Sequence, residues 1–320
     1  MKPDLIVICG PTASGKTALS VALAKQLGGE VVSADSMQIY RRMDIGTAKP
    51  TLEEMDGVPH HMIDVADPEE NYSVARYVSD AIPIVDDILA RGKIPVVAGG
   101  TGLYIDNLIA GREFAPFEET SGLREALQNR VKAEGLPVLL EELQKVDPDA
   151  AQRLHPNDEK RIIRALEVWL STGKTITQHN LETQAIPPRY TPLIIGLDFE
   201  EREHLRRRID LRVDDMMERG LEQEIRQLLA DGVPSHCTAM QAIGYKEIVS
   251  ALLEGRPVEE GAEEVKLRSR QYAKRQLTWF RRYTDALWLH PDENGPPLRT
   301  ADQLAQEVLR FCEEDSAKSD

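Results

Sequence analysis

Largely apolar runs of strand length recur along the chain and end in small or polar residues. They occupy residues 5–9, 30–34 and 94–98, and two more follow at residues 193–197 and 286–289. Runs of this kind are typical of parallel strands that are buried on both faces of a sheet. The pattern therefore predicts five parallel strands.

Segments with apolar residues at helical spacing lie between and after these strands. Helices are predicted over residues 18–27, 73–91, 200–217, 221–229, 245–253 and 260–283. The alternation of strands and helices predicts an α/β fold built on a doubly wound parallel sheet. Because ligands of such sheets collect at the carboxyl ends of the strands, residues 10–17, Asp35 and Thr101 are candidates for one pocket.

The connection between the third and fourth predicted strands is unusually long. It spans roughly 90 residues, whereas a crossover connection rarely needs more than a few tens. Residues 121–172 are rich in helix formers, and residues 184–192 contain three prolines, as a return linker would. We therefore predict an α/β core from residues 1–111 and 191–320, interrupted by an inserted helical subdomain at residues 112–190.

The loop after the first strand fits the phosphate-loop (P-loop) pattern of glycine, four residues, then Gly-Lys-Ser/Thr. Its residues are Gly10, Pro11, Thr12, Ala13, Ser14, Gly15, Lys16 and Thr17. Backbone amides and the helix N-terminus favour a bound phosphate, and Lys16 adds a full positive charge. The Thr17 hydroxyl is suited to ligate Mg²⁺. The pattern predicts a phosphate-bearing ligand without saying whether phosphate is transferred.

Composition narrows the class of protein. The 320 residues are 41% hydrophobic and 29% charged, and no apolar run approaches the ~18 residues that a membrane helix needs. The chain enters its first strand within a few residues, which leaves no room for a signal peptide, so we expect a cytoplasmic protein without membrane contact. Cys9, Cys237 and Cys312 are far apart, which excludes a disulfide framework.

The net charge of −15 argues against nucleic acid only if the charges are evenly spread. Residues 266–282 hold seven Lys and Arg and no acid, and residues 202–212 hold five arginines. If residues 266–282 are one helix, basic and aromatic stripes lie side by side on it. These are Arg268, Arg275 and Arg282 beside Tyr272, Trp279 and Tyr283. Such stripes suit the binding of a nucleic-acid strand. Alternatively, the segment is an ordinary amphipathic helix whose aromatic residues belong to the core and whose charges are solvated.

Two strand ends carry further candidate chemistry. Asp35 can ligate Mg²⁺, bind a sugar hydroxyl, act as a base or cap a helix. Thr101 stands among three glycines, at 99, 100 and 102, which suggest a close approach of backbone to a ligand. The third strand ends without an acid, which weakens ATPase and GTPase interpretations, although Asp35 or Asp198 could substitute. Arg208 and Arg212 share a helix face that could bind a pyrophosphate.

In several ordered motifs the chain resembles the tRNA dimethylallyltransferases, also called tRNA isopentenyltransferases, in their compact bacterial form. Besides the phosphate loop, the resemblance rests on six segments. They are DSMQIY at 35–40, GTAKP at 46–50, GGTGLY at 99–104, RIIRALE at 161–167, MQAIGYK at 240–246 and RQYAKRQ at 270–276 with WFR at 279–281. Residues after Leu289 offer only His290 and Cys312, so the zinc finger of eukaryotic relatives is not expected.

The resemblance implies transfer of a dimethylallyl group from dimethylallyl diphosphate to the exocyclic N6 amine of the adenosine 3′ of the tRNA anticodon. Lys16 and Thr17, with Mg²⁺, would bind the diphosphate, and Arg208 would assist. Asp35 would be the general base, and Thr101 would lie where the substrates meet. The flipped-out adenosine would contact three residues after Asp35, namely Ser36, Met37 and Gln38.

The resemblance also implies that the inserted subdomain contacts the anticodon stem-loop of tRNA. The residues concerned are Arg124, Lys160, Arg161 and Arg164, and a monomer is expected. Two other classes remain open on the residues alone. One is a small-molecule kinase that closes residues 206–212 over bound ATP, and the other is a non-catalytic RNA-binding module.

Overall fold

The computed structural model describes residues 3–112, 122–184 and 186–319. Within them, six strands form one sheet. They are β1 (Leu5–Cys9), β2 (Glu30–Ser33), β3 (His60–His61), β4 (Pro95–Gly99), β5 (Pro192–Leu197) and β6 (Leu287–Leu289). All neighbouring pairs are parallel, and the spatial order is β3-β2-β4-β1-β5-β6. The predicted α/β fold with a doubly wound parallel sheet is confirmed.

Helices account for most of the remaining chain. Those before the insertion are α1 (Lys16–Leu27), α2 (Leu52–Met55), α3 (Val74–Ala90) and α4 (Gly102–Ala110). The next are α5 (Leu123–Glu134), α6 (Leu136–Val146), α7 (Pro148–Arg153), α8 (Glu159–Thr172) and α9 (Ile176–Gln184). After β5 come α10 (Arg202–Glu218), α11 (Leu221–Ala230), α12 (Tyr245–Glu254), α13 (Val258–Phe280) and α14 (Ala301–Ser319).

Several elements of the structure were not predicted. The strand β3 has only two residues, both histidine, so no apolar run marks it. Helix α9 has exposed leucine and little apolar periodicity, so composition alone did not reveal it. Helices α2, α4 and α14 are likewise absent from the predicted helices.

The chain divides into two compact units. Unit 1 comprises Met1–Gly111 and Arg189–Asp320, and unit 2 comprises Arg112–Pro188. The backbone amides of Arg189 and Tyr190 both donate to the carbonyl of Ile109, at 3.0 and 3.2 Å. These two residues are therefore attached to unit 1, and the insertion ends at 188 instead of the predicted 190. Residue 121, where we expected the helical stretch to begin, lies outside the described residues.

Both faces of the sheet in unit 1 are buried, as apolar strands require. On one face, Leu19 and Leu23 of α1 and Leu304 and Val308 of α14 join the strand residues in one apolar cluster. Elsewhere in the unit, the ring of Tyr77 in α3 stacks on Tyr104 of α4 with centroids 4.1 Å apart. The hydroxyl of Tyr77 donates to the carbonyl of Ser33 at the end of β2, at 3.0 Å. Helix packing therefore holds the carboxyl ends of the strands in place.

The order of the strands puts a topological switch beside β1, because the chain leaves β1 toward β2 on one side and later returns to β5 on the other. The loops after β1 and β4 therefore flank a crevice at the carboxyl edge of the sheet, where doubly wound folds bind ligands. Residues 10–17 follow β1, and Gly100 and Thr101 follow β4.

Unit 2 has an apolar core of its own. Leu127 of α5, Leu139 and Leu143 of α6, and Ile162 and Leu166 of α8 are buried together. The Asp147 carboxylate caps α7 by accepting from the amide of Ala150 at 3.1 Å, and its other oxygen accepts from the amide of Thr177 at 3.0 Å. A packed core and satisfied helix ends make unit 2 a compact helical body.

Among the residues that the structure describes, no helix combines the length and apolar character needed to cross a membrane.

Candidate active site

The phosphate loop joins the buried strand β1 to the N-terminus of α1. Gly15 caps the helix in the left-handed conformation, with φ of 97°, which turns the chain sharply into the first turn of the helix. The Lys16 ammonium folds back over the loop and donates to the carbonyls of Gly10 and Pro11, at 3.1 and 2.7 Å. The loop therefore presents a cation and the free amides of a helix N-terminus to one side.

The environment of Lys16 disfavours its positive charge. Burial and, to a smaller extent, the positive charge of Arg212 lower the pKa of Lys16 to about 8, although the negative charge of Asp35 acts in the opposite direction. A cation held in such an environment is stabilised when an anion binds beside it. The site is thus electrostatically arranged for a negatively charged ligand.

Two arginines of α10 face the same loop. Arg208 donates from Nε to the carbonyl of Ala13 at 2.8 Å, and its guanidinium lies 5.9 Å from the centroid of the Phe199 ring. Arg212, one turn further, lines the cavity beside the loop. The predicted shared face of Arg208 and Arg212 is therefore turned toward the phosphate loop, where both positive charges are available to a diphosphate.

Asp35 follows the end of β2 and begins the next loop. Its Oδ1 accepts from the amides of Met37 at 2.9 Å and Gln38 at 3.4 Å, which stabilises a turn; the chain does not enter a helix here, so the helix cap considered for Asp35 is not what these bonds form. Its Oδ2 accepts no hydrogen bond from the described residues, and Asp35 lines the same cavity as Lys16. One carboxylate oxygen thus orders the loop while the other remains available for chemistry.

Thr101 is connected to this loop by its side chain. Its Oγ1 accepts from the amide of Ser36 at 3.0 Å and lies 3.3 Å from the Ser36 hydroxyl. The amide of Thr101 donates to the carbonyl of Ala34 at 3.1 Å. The structure therefore brings Thr101 and the Asp35 loop together, with Ser36 as the direct contact.

Gln38 is fixed on both ends of its side chain. Its Oε1 accepts from the Ser33 hydroxyl at 3.1 Å, and its Nε2 donates to the carbonyl of Ala48 at 3.2 Å. The loop that contains Ala48 is held in turn by Glu224 of α11. One carboxylate oxygen of Glu224 accepts from the amides of Asp44 and Ile45 at 2.8 and 2.9 Å. The motif at residues 46–50 is therefore a brace for Gln38.

A cavity of about 600 Å³ occupies this edge of unit 1. Its walls come from the phosphate loop, the Asp35 loop, the loop at residues 46–50, α10, residues 241–243 and α13. Of the predicted site residues, the following line it: Thr12, Ala13, Ser14, Gly15, Lys16, Thr17, Asp35, Ser36, Met37, Gln38 and Arg208. Ser14 adds a hydroxyl that is buried and has no partner among the described residues. A volume of this size accommodates a small organic ligand.

The glycines at 99, 100 and 102, which suggested a close approach of backbone to a ligand, approach other parts of the protein closely. A Cβ on Gly99 would lie 2.1 Å from the carbonyl oxygen of Ala34, one on Gly100 would lie 2.2 Å from Nε2 of Gln276, and one on Gly102 would lie 2.2 Å from the ring of Trp279. The close approach is thus to β2 and to α13. These contacts make the turn that carries Thr101 part of the packed protein.

The basic and aromatic stripes of residues 266–282 are only partly present. Helix α13 ends at Phe280, so Arg282 and Tyr283 lie beyond it, and both contact the Asp106 carboxylate of α4. Arg275 and Tyr272 line the cavity instead. Burial, followed by the charge of Asp35, raises the pKa of Tyr272 to about 12, so its hydroxyl keeps its proton. Some of the basic and aromatic residues of the predicted stripes therefore contact other parts of the protein.

The predicted RNA contacts of unit 2 lie on α5 and α8. Lys160 and Arg161 are exposed, and Arg161 pairs with Asp158 in the preceding turn at 3.3 Å. Arg124 and Arg164 both bond to the Glu167 carboxylate, at 2.7 and 3.0 Å. Burial of Glu167 acts to raise its pKa, but these two arginines lower it by more. Four basic side chains are thus displayed on this unit.

The fit of Mg²⁺ depends on the donors in the cavity. In the described ranges, no group of three or more His, Cys, Asp or Glu side chains could hold a metal ion. The Thr17 hydroxyl and the Asp35 carboxylate nevertheless line the same cavity as the phosphate loop. Mg²⁺ commonly takes one or two protein oxygens and completes its shell with phosphate and water. These donors fit that mode of binding.

Asp198, the other strand-end acid considered, is engaged elsewhere. Its Oδ2 accepts from Arg281 at 2.7 Å, and its Oδ1 accepts from the amide of Phe199 at 2.8 Å. Sequence reasoning did not single out Gln276 or Glu224, each of which bonds to backbone in distant loops. The sequence signals for Gln276 were its place at the end of the motif at 270–276 and the glycines whose missing Cβ atoms leave space for it.

Known proteins resemble the chain over nearly its whole length. The family model described as IPP transferase matches residues 38–283, and the one described as isopentenyl transferase matches residues 3–67. A tRNA dimethylallyltransferase of Caldanaerobacter subterraneus is 45% identical over 312 residues, which cover 97% of this chain and 98% of the relative.

Two solved structures are similar as well. The full-length tRNA isopentenylpyrophosphate transferase of Bacillus halodurans superposes with a TM-score of 0.71 and 42% identity, covering 99% of each chain. A eukaryotic dimethylallyltransferase acting on tRNA gives a TM-score of 0.81 with 31% identity, covering 98% of this chain and 79% of the relative. The similarity therefore includes both units.

Proposed function

Since the chain belongs to the tRNA dimethylallyltransferase (IPP transferase) family, whose members transfer a dimethylallyl group to an adenosine of tRNA, we propose that the cavity of unit 1 is where this transfer takes place. The donor is dimethylallyl diphosphate, and the acceptor is the exocyclic N6 amine of the adenosine 3′ of the anticodon. The C–N bond forms as the C–O bond to diphosphate breaks, and no phosphoryl group is transferred.

The diphosphate binds at the phosphate loop. Lys16, the amides at the start of α1 and the arginines at 208 and 212 offset the negative charge that grows on the leaving group. The lowered pKa of Lys16 supports this role, because the bound anion supplies the compensation that burial otherwise denies the ammonium. The buried Ser14 hydroxyl gains a partner in the same anion.

Thr17 is the residue that would hold Mg²⁺, through its hydroxyl. When bound, the ion supplies positive charge to the departing diphosphate and helps to orient it. The protein itself contributes the loop amides and the fixed cations. Because its own carboxylates are few here, binding of the metal and of diphosphate should be mutually dependent.

Asp35 removes the proton from the adenine amine. That amine is a weak nucleophile because its lone pair is delocalised into the ring, so a base contributes ~10²–10⁴-fold to such a step. The turn-forming bonds of Oδ1 orient the carboxylate, and Oδ2 accepts the proton. Met37 and Gln38 then contact the extruded base, with Gln38 held in one orientation by Ser33 and Ala48.

Unit 2 contributes to tRNA affinity through its basic side chains. Arg124, Lys160, Arg161 and Arg164 bind phosphates of the anticodon stem-loop, and this contribution falls as salt rises. We expect the enzyme to act as a monomer in the cytoplasm.

The observation that carries this proposal is that Lys16 and Asp35, a cation for the leaving group and a base for the nucleophile, line one cavity. The test incubates the protein with unmodified tRNA, dimethylallyl diphosphate labelled in the allyl group, and Mg²⁺. Label should appear in tRNA at the adenosine 3′ of the anticodon, with one diphosphate released per transfer. Consumption of ATP without tRNA would indicate a kinase, and tRNA binding without product would indicate a binding module.

A further inference from the structure

Gln276 of α13 lies between the phosphate loop and the turn after β4, and its side-chain amide is bonded to both. The Oε1 atom accepts from the amide of Thr12 at 2.9 Å, and the Nε2 atom donates to the carbonyl of Gly100 at 3.0 Å. Its side chain is only 5% exposed, so water does not compete for these bonds. One side chain thus connects the loop that follows β1 with the turn that follows β4.

We propose that Gln276 is a positioning residue that sets the separation between the diphosphate loop and the Thr101 turn, and thereby holds the two substrates at reacting distance. The inference rests on the proposed function, since it concerns how the donor and the adenosine are aligned. Gln276 also lines the cavity and lies beside Tyr272, but the role proposed here acts through its bonds to the backbone of Thr12 and Gly100.

The chemistry of the two contacts requires an uncharged amide. Thr12 offers a hydrogen-bond donor and Gly100 offers an acceptor, so the residue between them must accept on one atom and donate on the other. Glutamine does both from one rigid planar group. A carboxylate would place an oxygen against the Gly100 carbonyl, and an aliphatic side chain would leave both backbone groups buried without a partner.

The space for Gln276 is reserved by the fold. Any Cβ at residue 100 would collide with Nε2 of Gln276. Tyr272, one turn before, lies beside Thr101 and Gln276. Trp279, almost one turn after, packs over Gly102. Helix α13 therefore braces the Thr101 turn at three successive points, and Gln276 is the point that also reaches the phosphate loop.

Loss of the brace should affect the reaction step more than the folding of the protein. Misplacement of reacting groups by about 1 Å can cost ~10²-fold in rate. Gln276→Met keeps the size of the side chain and removes both hydrogen bonds. We expect its single-turnover rate, with saturating tRNA and dimethylallyl diphosphate, to fall about 10-fold to 100-fold. Its tRNA affinity should stay within about threefold of the native value, because no tRNA-binding group is changed.

A second variant tests whether the hydrogen bonds matter, because its ability to donate changes with pH. In Gln276→Glu the ionised side chain lacks the donor for Gly100, whereas the protonated carboxylic acid again donates to Gly100 and accepts from Thr12. Burial beside a carbonyl raises the pKa of such a carboxyl, so its protonated form becomes populated as pH falls toward 6. The rate of Gln276→Glu, divided by the native rate at the same pH, should therefore rise as pH falls from 8.5 to 6.

Gln271 provides the matched control, because it lies on the same helix, is exposed, and accepts from Arg268 at 3.3 Å. Gln271→Met and Gln271→Glu should match the native rate at every pH. A Gln276→Met rate within about twofold of native, or a flat rate ratio for Gln276→Glu, overturns the positioning role. If the methionine variant does not fold, the ratio for the glutamate variant decides alone. Should the native protein itself fail to label tRNA, the proposed function fails instead.

Discussion

The two units present their polar side chains in different ways. In unit 1, Gln276 and Glu224 bond to backbone far away in the sequence, and each holds a loop of the cavity in one position. In unit 2, Arg161 and Arg164 lie on α8, and each pairs with an acid three residues away, at 158 and 167. Unit 1 thus fixes geometry, and unit 2 displays charge. Substitutions in unit 1 should change the rate, and those in unit 2 should change affinity and its salt dependence.

The largest effect is expected at Asp35. Asp35→Asn keeps an oxygen that accepts from the Met37 amide but removes the charged atom that takes the proton, so turnover should fall by ~10²-fold or more while both substrates still bind. The measurement is the single-turnover rate against Mg²⁺ concentration with saturating tRNA and diphosphate. Recovery of the rate as Mg²⁺ rises would contradict the role as base, since a weakened metal site refills by mass action.

Asp198→Asn is the matched control for Asp35. Asp198 also stands at a strand end, but it is committed to Arg281. Its substitution should leave the dependence of rate on Mg²⁺ as in the native protein, although stability can decrease. An equal loss of rate in both variants would show that the assay reports general damage to the sheet edge.

Lys16 should have the next largest effect. Lys16→Ala removes a charge-assisted contact, so affinity for dimethylallyl diphosphate should fall by about 10-fold to 100-fold, turnover should fall with it, and tRNA affinity should be nearly unchanged. Because the pKa of Lys16 is lowered to about 8, the native protein should bind the diphosphate progressively more weakly above that pH. The loss approaches tenfold per pH unit where one proton must be taken up on binding.

Calorimetric titration with diphosphate from pH 7 to 9.5 checks this expectation. The native protein should lose affinity with rising pH, and Lys16→Ala should lack that component. Parallel curves for the two proteins would mean that another group titrates.

A smaller effect, of a different kind, is expected in unit 2. Removing both Arg161 and Arg164 by substitution with alanine should weaken tRNA binding several-fold and lower the salt slope by about 2, while the single-turnover rate at saturation stays native. Lys132→Ala with Lys145→Ala removes the same charge from exposed positions of α5 and α6, and it should change the slope less. If both double variants lower the salt slope equally, then Arg161 and Arg164 act through the overall charge of the protein and do not contact tRNA phosphates directly.

The smallest effect concerns Glu167, the buried acid that holds Arg124 and Arg164. Its pKa is lowered on folding, so its contribution to stability is present above the unfolded value of about 4.3 and is lost as pH falls through the folded value. Glu167→Gln should therefore reduce the stability of unit 2 at pH 7 by about 1–2 kcal/mol and flatten its loss in acid.

Hydrogen exchange of amides in α5 and α8 measures this change, with amides of α1 as an internal reference. Glu182→Gln is the control, because its pair with Lys174 is exposed on both sides and should be worth little. Faster exchange in α1 as well would indicate that the substitution acts beyond unit 2.

Sequence alone predicted those parts of the molecule in which the local pattern decides the structure. The apolar runs of β1 and β4 and the motif at residues 10–17 specify strand, loop and helix within a few residues of each other. The family could also be predicted, because several spaced motifs agree with it. The two-residue β3 escaped prediction, since it is held by pairing with β2 and has no apolar pattern of its own.

The candidate site was predictable only in part for a related reason. Lys16 and Asp35 belong to short motifs, whereas the bonds of Gln276 join residues separated by 264 and 176 positions. Nothing in the local sequence distinguishes a glutamine on a helix surface from one that reaches across the sheet. The glycines at 99, 100 and 102 did signal a close approach, but only the structure shows that the neighbours are Ala34, Gln276 and Trp279.

The packing of α14 against α1 has a consequence for how the protein is made. The first helix of the chain is covered by the last, and β1 pairs with β5 only after the whole insertion has been synthesised. During synthesis on the ribosome, the apolar residues of α1 therefore remain uncovered until α14 has emerged. Unit 2 is contiguous in sequence and can complete its core much earlier. During that interval the nascent chain exposes the face that α14 will cover, which makes this stage the most prone to aggregation and the most dependent on chaperones.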